Sequence, residues 1–336
     1  MFASCQIVQG RKRSAIYDLE RSAFYDLPNE FLHILEYSRD NTVAELTQQF
    51  GDNQGAIETF LDQFVQQELG FYTSEPDRFP AIDLSWESPH WITNSVIEWS
   101  DSAGFEFEQV IGQLDQLACP SIQIRILKDT DHQKIAEILT VPFKETRFNY
   151  VELLLPFSAG LSHEDLYDLI SRQPRLYVVS IYGAAADRIV EHDNPQFNKR
   201  IVYFKKDIRT EPFEIIKLDR FFTNINLHAE AMHYNTGLNR KVCIDINGNI
   251  KNYISHDRLF GNIRSEKLSD VIQSASFQQI WHISNDKVEI CKDCQYRYAC
   301  VSNSDLKQIE NKYYKIDMCG FVPATNTWTT GNEHLD

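Results

Sequence analysis

No apolar run in this chain approaches the roughly 20 residues needed to cross a bilayer. The longest apolar stretches, such as Val151–Leu155, are strand-sized. The N-terminus has no apolar signal core, because Arg11, Lys12, Arg13 and Asp18 interrupt it. Basic charge is scarce: 33 Lys and Arg face 48 Asp and Glu, a net charge of −15. A phosphate backbone is repelled by such a chain unless a basic face gathers locally. The small basic clusters Arg11–Lys12–Arg13, Lys199–Arg200 and Lys205–Lys206 read as solvated loop faces. Neither nucleic acid nor a membrane is therefore an expected partner, and the expected location is cytoplasmic. There is no GxxxxGK[ST] loop, and Gly183–Asp187 lacks the GxGxxG pattern, so no nucleotide site is expected. HExxH is missing as well. His228 and His233 flank an alanine-rich stretch five apart, a poor spacing for one metal, and read as loop or core histidines.

Cysteine, by contrast, is concentrated. Four of the seven cysteines stand as Cys291-x2-Cys294-x5-Cys300, with eighteen residues between Cys300 and Cys319. A CxxC pair lets two thiolates converge from one tight turn, and the other two arrive from adjoining and distant segments. Four sulfurs close a tetrahedral shell around zinc or hold the corners of an iron–sulfur cube. In a reducing compartment such clustering favours metal over disulfides. Cys5 and Cys119 are isolated and read as buried apolar residues.

Residues 1–75 read as a small α/β unit. Phe2–Val8 and Ser14–Leu19 are strand-like, and Leu27-Pro28-Asn29-Glu30 starts a helix. Thr42 and Glu45 form a capping box for a second helix, and Ala56, Ile57, Phe60, Leu61, Phe64 and Val65 line a third. Phe71-Tyr72 is placed to start a wing strand, giving the order of a winged helix. Its third helix carries Glu58, Asp62, Gln63, Gln66, Gln67 and Glu68, which suits peptide or protein binding better than duplex binding. A Pro/Ser/charge-rich linker, Thr73–His90, follows. Strands at Ile92–Trp99, Ser121–Leu127, Phe148–Leu155 and Leu176–Tyr182 alternate with helices at Phe105–Leu117, Asp131–Leu139 and Ser162–Ser171. This alternation predicts an α/β fold with a parallel sheet, open or curved as a partial barrel. From about Lys241 the pattern changes to a hairpin, Val242–Ile246 and Ile250–Asn252, with Asn247-Gly248-Asn249 as a type I′ turn. Leu268–Trp281 reads as one helix.

The C-terminal part resembles the SPASM domain, the auxiliary-cluster module of many peptide-modifying radical S-adenosylmethionine enzymes. The resemblance rests on Cys243-Ile-Asp-Ile-Asn-Gly-Asn-Ile, on Gly261-Asn262-Ile263 and on Cys291, Cys294, Cys300 and Cys319. It implies one complete cluster site, a 4Fe–4S cluster with zinc as the alternative, at those four residues. It also implies a lost first site, of which only Cys243 remains. Asn249, Tyr253 and Ser304 stand near the other expected positions. Radical chemistry requires CxxxCxxC, and before Cys243 there are only Cys5 and Cys119. No S-adenosylmethionine is therefore expected, and the middle of the chain resembles a degenerate radical barrel.

The whole chain resembles the SPASM-domain protein of grasp-with-spasm peptide maturation systems. The residues that carry this are Phe2–Arg21 with Gly10 and Asp18-Leu19, Asn239-Arg240-Lys241, and Cys319-x-Phe321-x-Pro323-x-Thr325-x-x-Trp328. Val322 and Thr327 replace the family's usual Asn and Glu. The resemblance implies a PqqD-like leader-recognition winged helix over 1–75, a degenerate α/β partial barrel over 90–235 and a SPASM domain over 240–330. It implies a maturation factor for a ribosomally synthesised precursor peptide, partnered by an ATP-grasp ligase that supplies the ATP chemistry. Lys205-Lys206 is a candidate to face the acidic substrate. Whether the chain catalyses anything itself stays open. The alternatives are a redox enzyme using the C-terminal cluster and a zinc-stapled peptide- or protein-binding module.

Overall fold

The computed structural model describes residues 1–39, 41–50, 54–158, 162–190, 198–211, 221–317 and 319–329. The chain opens with an antiparallel sheet, β1 (Cys5–Val8), β2 (Arg13–Asp18) and β3 (Ala23–Pro28), in the order β1-β2-β3. β3 is a strand where a helix start is expected at Leu27-Pro28. Pro28 ends the strand and sits on the sheet edge, where its missing N–H leaves no gap in the ladder. Three helices follow: α1 (Leu32–Tyr37), α2 (Val43–Gln49) and α3 (Gln54–Gln66). Thr42 caps α2 through the expected box with Glu45. Phe71-Tyr72 is not a strand, so the expected wing is absent from these residues. The linker is pinned rather than free: Trp86 packs on Tyr234 at 5.2 Å, and His90 Nδ1 lies 2.7 Å from the Ala118 carbonyl oxygen.

The middle of the chain alternates as expected. The elements are β4 (Asn94–Trp99), α4 (Phe107–Gln116), β5 (Ser121–Ile126), α5 (His132–Thr140), β6 (Tyr150–Pro156), α6 (His163–Arg172) and β7 (Leu176–Tyr182). Ser162 caps α6 with a second capping box, to Asp165. β8 (Arg188–Val190) and β9 (Arg200–Phe204) extend the sheet, and α7 (Ile225–His233) leads toward the C-terminal part. There β10 (Lys241–Ile244) pairs antiparallel with β11 (Ile250–Lys251) and parallel with β4. The result is one sheet in the order β11-β10-β4-β5-β6-β7-β9-β8, with antiparallel strands at both edges.

Neighbouring parallel strands in chain order, joined by right-handed crossovers, put every crossover helix on the same face. The core follows that rule. Ile97, Ile124, Leu153 and Val179 pack with Val110, Leu114, Ile135 and Leu169 of the helices. The alternate strand residues carry a polar ladder on the other face. Gln123 Nε2 donates to Glu152 at 2.9 Å, and Arg125 Nε donates to Gln123 at 2.6 Å.

Two expectations change in the C-terminal part. Within the hairpin only Gly248 takes positive φ (+81°), and its N–H donates to the Asp245 carbonyl at 2.8 Å. This is a type I turn closed by a left-handed glycine, rather than type I′. The Asp245 carboxylate accepts the Asn247 and Asn249 amides, each at 3.0 Å, and thereby selects that turn. Leu268–Trp281 is not one helix but α8 (Leu268–Ile272), α9 (Ala275–Gln278) and a 3-10 turn, Gln279–His282. Ser274 breaks it by capping the Phe277 amide. Two small hairpins end the fold: β12 (Leu306–Ile309) with β13 (Lys312–Lys315), and β14 (Phe321–Val322) with β15 (Thr327–Trp328).

Candidate metal centre

Cys291 opens a single 3-10 turn, Cys291–Asp293, and Cys294 caps it by donating its N–H to the Cys291 carbonyl at 3.0 Å. The chain enters this turn through Ile290 at φ +70°, ψ −50°, where a β-branched side chain is strained. Tyr296 N–H then points at Cys294 Sγ (3.3 Å), and Ala299 N–H bonds the Tyr296 carbonyl at 3.0 Å, which brings Cys300 back. Cys319 arrives from the far side, just ahead of β14. Phe321 pairs with Trp328 across that hairpin and stacks edge-on against Tyr296 at 5.2 Å. That contact is what the Phe321 and Trp328 of the tail motif do: they press the segment bearing Cys319 onto the loop bearing Cys294.

The four thiols form one electrostatic group. Burial pushes Cys294 up to about 12, and the charges of Cys300, Cys291 and Cys319 add to it. Cys291 and Cys319 are raised too, by burial first. Lys315, at the end of β13, reaches into the group, with its Nζ 3.8 Å from Cys300 Sγ. Burial alone would lower its pKa, but Cys300, Cys291, Cys319 and Cys294 together hold it above the ordinary lysine value. No spacing rule singles out this lysine in the sequence. Among the described residues, no three His, Cys, Asp or Glu side chains converge tightly enough to hold a single metal ion. The donor set nonetheless suits a soft metal or an iron–sulfur group, being all sulfur.

The cysteine loop is also the floor on which the N-terminal sheet stands. Arg11 N–H donates to the Asp293 carbonyl at 2.7 Å, and Arg297 donates to the Gln9 carbonyl at 2.6 Å. Tyr17 Oη donates to the Gln295 carbonyl at 2.7 Å. Gly10 sits at the closest approach. A Cβ there would lie 2.9 Å from the Gln295 amide nitrogen and closer still to the Arg13 carbonyl oxygen.

Comparison with known families places the C-terminal part. Residues 238–295 match the SPASM family model, an iron-sulfur cluster-binding domain. The resemblance read from the motif is borne out over that segment, which includes Cys243, Cys291 and Cys294; Cys300 and Cys319 lie beyond it. No curated protein matches the chain. Among solved structures, the crystal structure of Streptococcus suis SuiB bound to precursor peptide SuiA is 11% identical. That match covers 89% of this chain and 93% of that one at a TM-score of 0.26.

Cys243 and the residues expected near a lost first site, Asn249, Tyr253 and Ser304, make other interactions. Cys243 is buried, its Sγ 3.5 Å from the Asn252 carbonyl, and burial pushes it up to about 12. The Tyr253 hydroxyl accepts Arg125 at 2.8 Å, while the Lys241 ammonium stands 5.3 Å from its ring centre. Asn249 bonds the Asp245 carboxylate at 3.0 Å. Ser304 Oγ accepts the amides of Ile316 (3.1 Å) and Asp317 (2.9 Å), so it shapes the turn after β13. Cys5 and Cys119 are buried on separate elements, and burial raises them to about 11 and about 12. His228 is a core residue of α7, and no described helix is long and apolar enough to cross a membrane.

Proposed function

We propose that this chain is a non-radical maturation factor for a ribosomally synthesised peptide, working with an ATP-grasp ligase in the cytoplasm. The observation that carries the reading is the thiol group of Cys291, Cys294, Cys300 and Cys319, with the N-terminal sheet hydrogen-bonded directly to its loop. In this reading the residues 1–75 act as a PqqD-like winged helix that takes the leader peptide as an added strand on the exposed edge of β3. The cysteine loop sets the orientation of that sheet relative to the 90–235 α/β unit. The ligase brings the nucleotide, since the chain has no phosphate-binding loop, and Lys205-Lys206 offers charge to acidic substrate residues.

The cofactor of this reading is a 4Fe–4S cluster held by the four thiolates. One zinc requires thiolates about 3.8 Å apart, the edge of a tetrahedron with 2.3 Å bonds. The match of residues 238–295 to an iron-sulfur cluster-binding family supports the cube over zinc. A fully ligated cube supplies structure or electron transfer and leaves no open iron. S-adenosylmethionine is not needed, because Cys5 and Cys119 do not make a CxxxCxxC loop.

The test is twofold. Anaerobically purified protein should hold about four irons and four sulfides per chain. A fluorescently labelled cognate leader peptide should gain anisotropy on binding. A flat anisotropy trace at high micromolar protein would sink leader recognition. One zinc without sulfide would instead favour a zinc-stapled binding module.

A further inference from the structure

Lysine side chains normally lay their stems along apolar surface and keep the ammonium in water. Lys315 does the reverse. It ends a hairpin whose other residues are exposed or half-buried, and its ammonium turns inward to the cysteines, 3.8 Å from Cys300 Sγ and within hydrogen-bonding reach of Cys291. Among the described residues, the charges that act on it most strongly are those of the four cysteines. Taking an ammonium out of water is unfavourable unless an anion compensates it. Among the described residues, the thiolates of the four cysteines are the anions placed to compensate it.

We propose that Lys315 is a positioning residue for the metal centre: a built-in counter-ion whose N–H groups face the cysteine sulfurs, and which would retain a bound cluster and raise its reduction potential. The proposal rests on the iron–sulfur reading above. Four thiolates around the cube leave a net negative charge, and an added electron deepens it. A fixed cation beside the sulfurs therefore stabilises the reduced state more than the oxidised one, and hydrogen bonds to sulfur act in the same direction. The same charge opposes the mutual repulsion of the thiolates, which slows loss of metal. A guanidinium preserves charge and donors at this place, whereas a thioether removes both.

The experiment uses the full chain, anaerobically reconstituted, as wild type, Lys315→Met and Lys315→Arg. Iron and sulfide are counted, the midpoint is read by electron paramagnetic resonance during a mediated redox titration, and iron loss to a chelator is timed. Lys315→Met should show a midpoint more negative than wild type and lose iron about 10-fold faster, with Lys315→Arg close to wild type in both. If Lys315→Met does not load, a loaded Lys315→Arg with a near-wild-type midpoint supports the proposal. A Lys315→Arg protein that also fails to load overturns it. A loaded Lys315→Met protein with wild-type midpoint and wild-type chelation rate overturns it as well. If wild type itself binds no iron and sulfide, the iron–sulfur reading has failed, and this proposal falls with it before any variant is compared.

Discussion

The seven cysteines divide between four that act on one another, Cys291, Cys294, Cys300 and Cys319, and three that are buried apart, Cys5, Cys119 and Cys243, although all are the same chemical group. Cys294 responds to three other thiols, whereas Cys243 is set against the Asn252 carbonyl, with Arg125 and Lys241 as its charged neighbours. Cys294→Ala should therefore abolish metal content. Cys243→Ala should leave metal content unchanged and cost about 1 kcal/mol in urea unfolding, as a small buried deletion does. His228 makes a second residue-scale case. It lies between Tyr17 at 5.4 Å and Tyr298 at 5.2 Å, and burial, with help from Arg297, depresses it from 6.5 to about 4. As pH falls below the ordinary value, the unfolded chain takes up the proton first and the folded state does not. Stability present at neutral pH should thus drain away down to about pH 4, by about 3 kcal/mol from this residue. His228→Phe should lose less stability than wild type between pH 7 and 4.5; equal losses would show that another group sets the slope.

At the scale of elements, the β1–β2 hairpin has two jobs. It is the first turn of the N-terminal sheet and the contact that reaches the cysteine loop. Gly10 is needed because two backbones meet there, not because the turn requires left-handed φ. Gly10→Ala should cost about 2 kcal/mol through forced separation of those backbones, measured by denaturant unfolding. A near-neutral result would mean that the hairpin yields without loss. The Arg11–Asp293 and Arg297–Gln9 contacts both flank Gly10 and should weaken with it. Capping is simpler at this scale: Ser162 and Thr42 each close a helix start within four residues, independently of what packs above.

For the molecule as a whole, the cysteine loop is a joint. It touches the N-terminal sheet through Tyr17 and Arg11, α7 through His228 and Tyr298, and the terminal hairpin through Tyr296 and Phe321. Metal removal by a chelator should raise amide exchange not only at 291–300 but also over 9–18, with Arg11 among the affected amides because its N–H is bonded to the loop. Exchange that rises at 291–300 alone would show that the loop holds its shape toward the sheet without metal.

The sequence by itself determined whatever is local or periodic. The spacing of Cys291, Cys294 and Cys300, the boxes at Thr42 and Ser162, and the one-sided apolar alternation of β4 to β7 are each encoded within a few residues, so the parallel α/β core and the sulfur-rich loop were legible. β3 was obscured by Asp26 and Pro28, which disfavour strand interiors but are tolerated at an edge. Only the tertiary structure decided that Lys241–Ile244 pairs with Asn94–Ile97, that the Gln9–Arg11 turn seats on the cysteine loop, and that Lys315 turns toward the thiols. Those contacts join segments far apart in the chain or reverse a side chain's usual direction. They leave no period or spacing behind, because packing and charge balance select them only after the chain has folded.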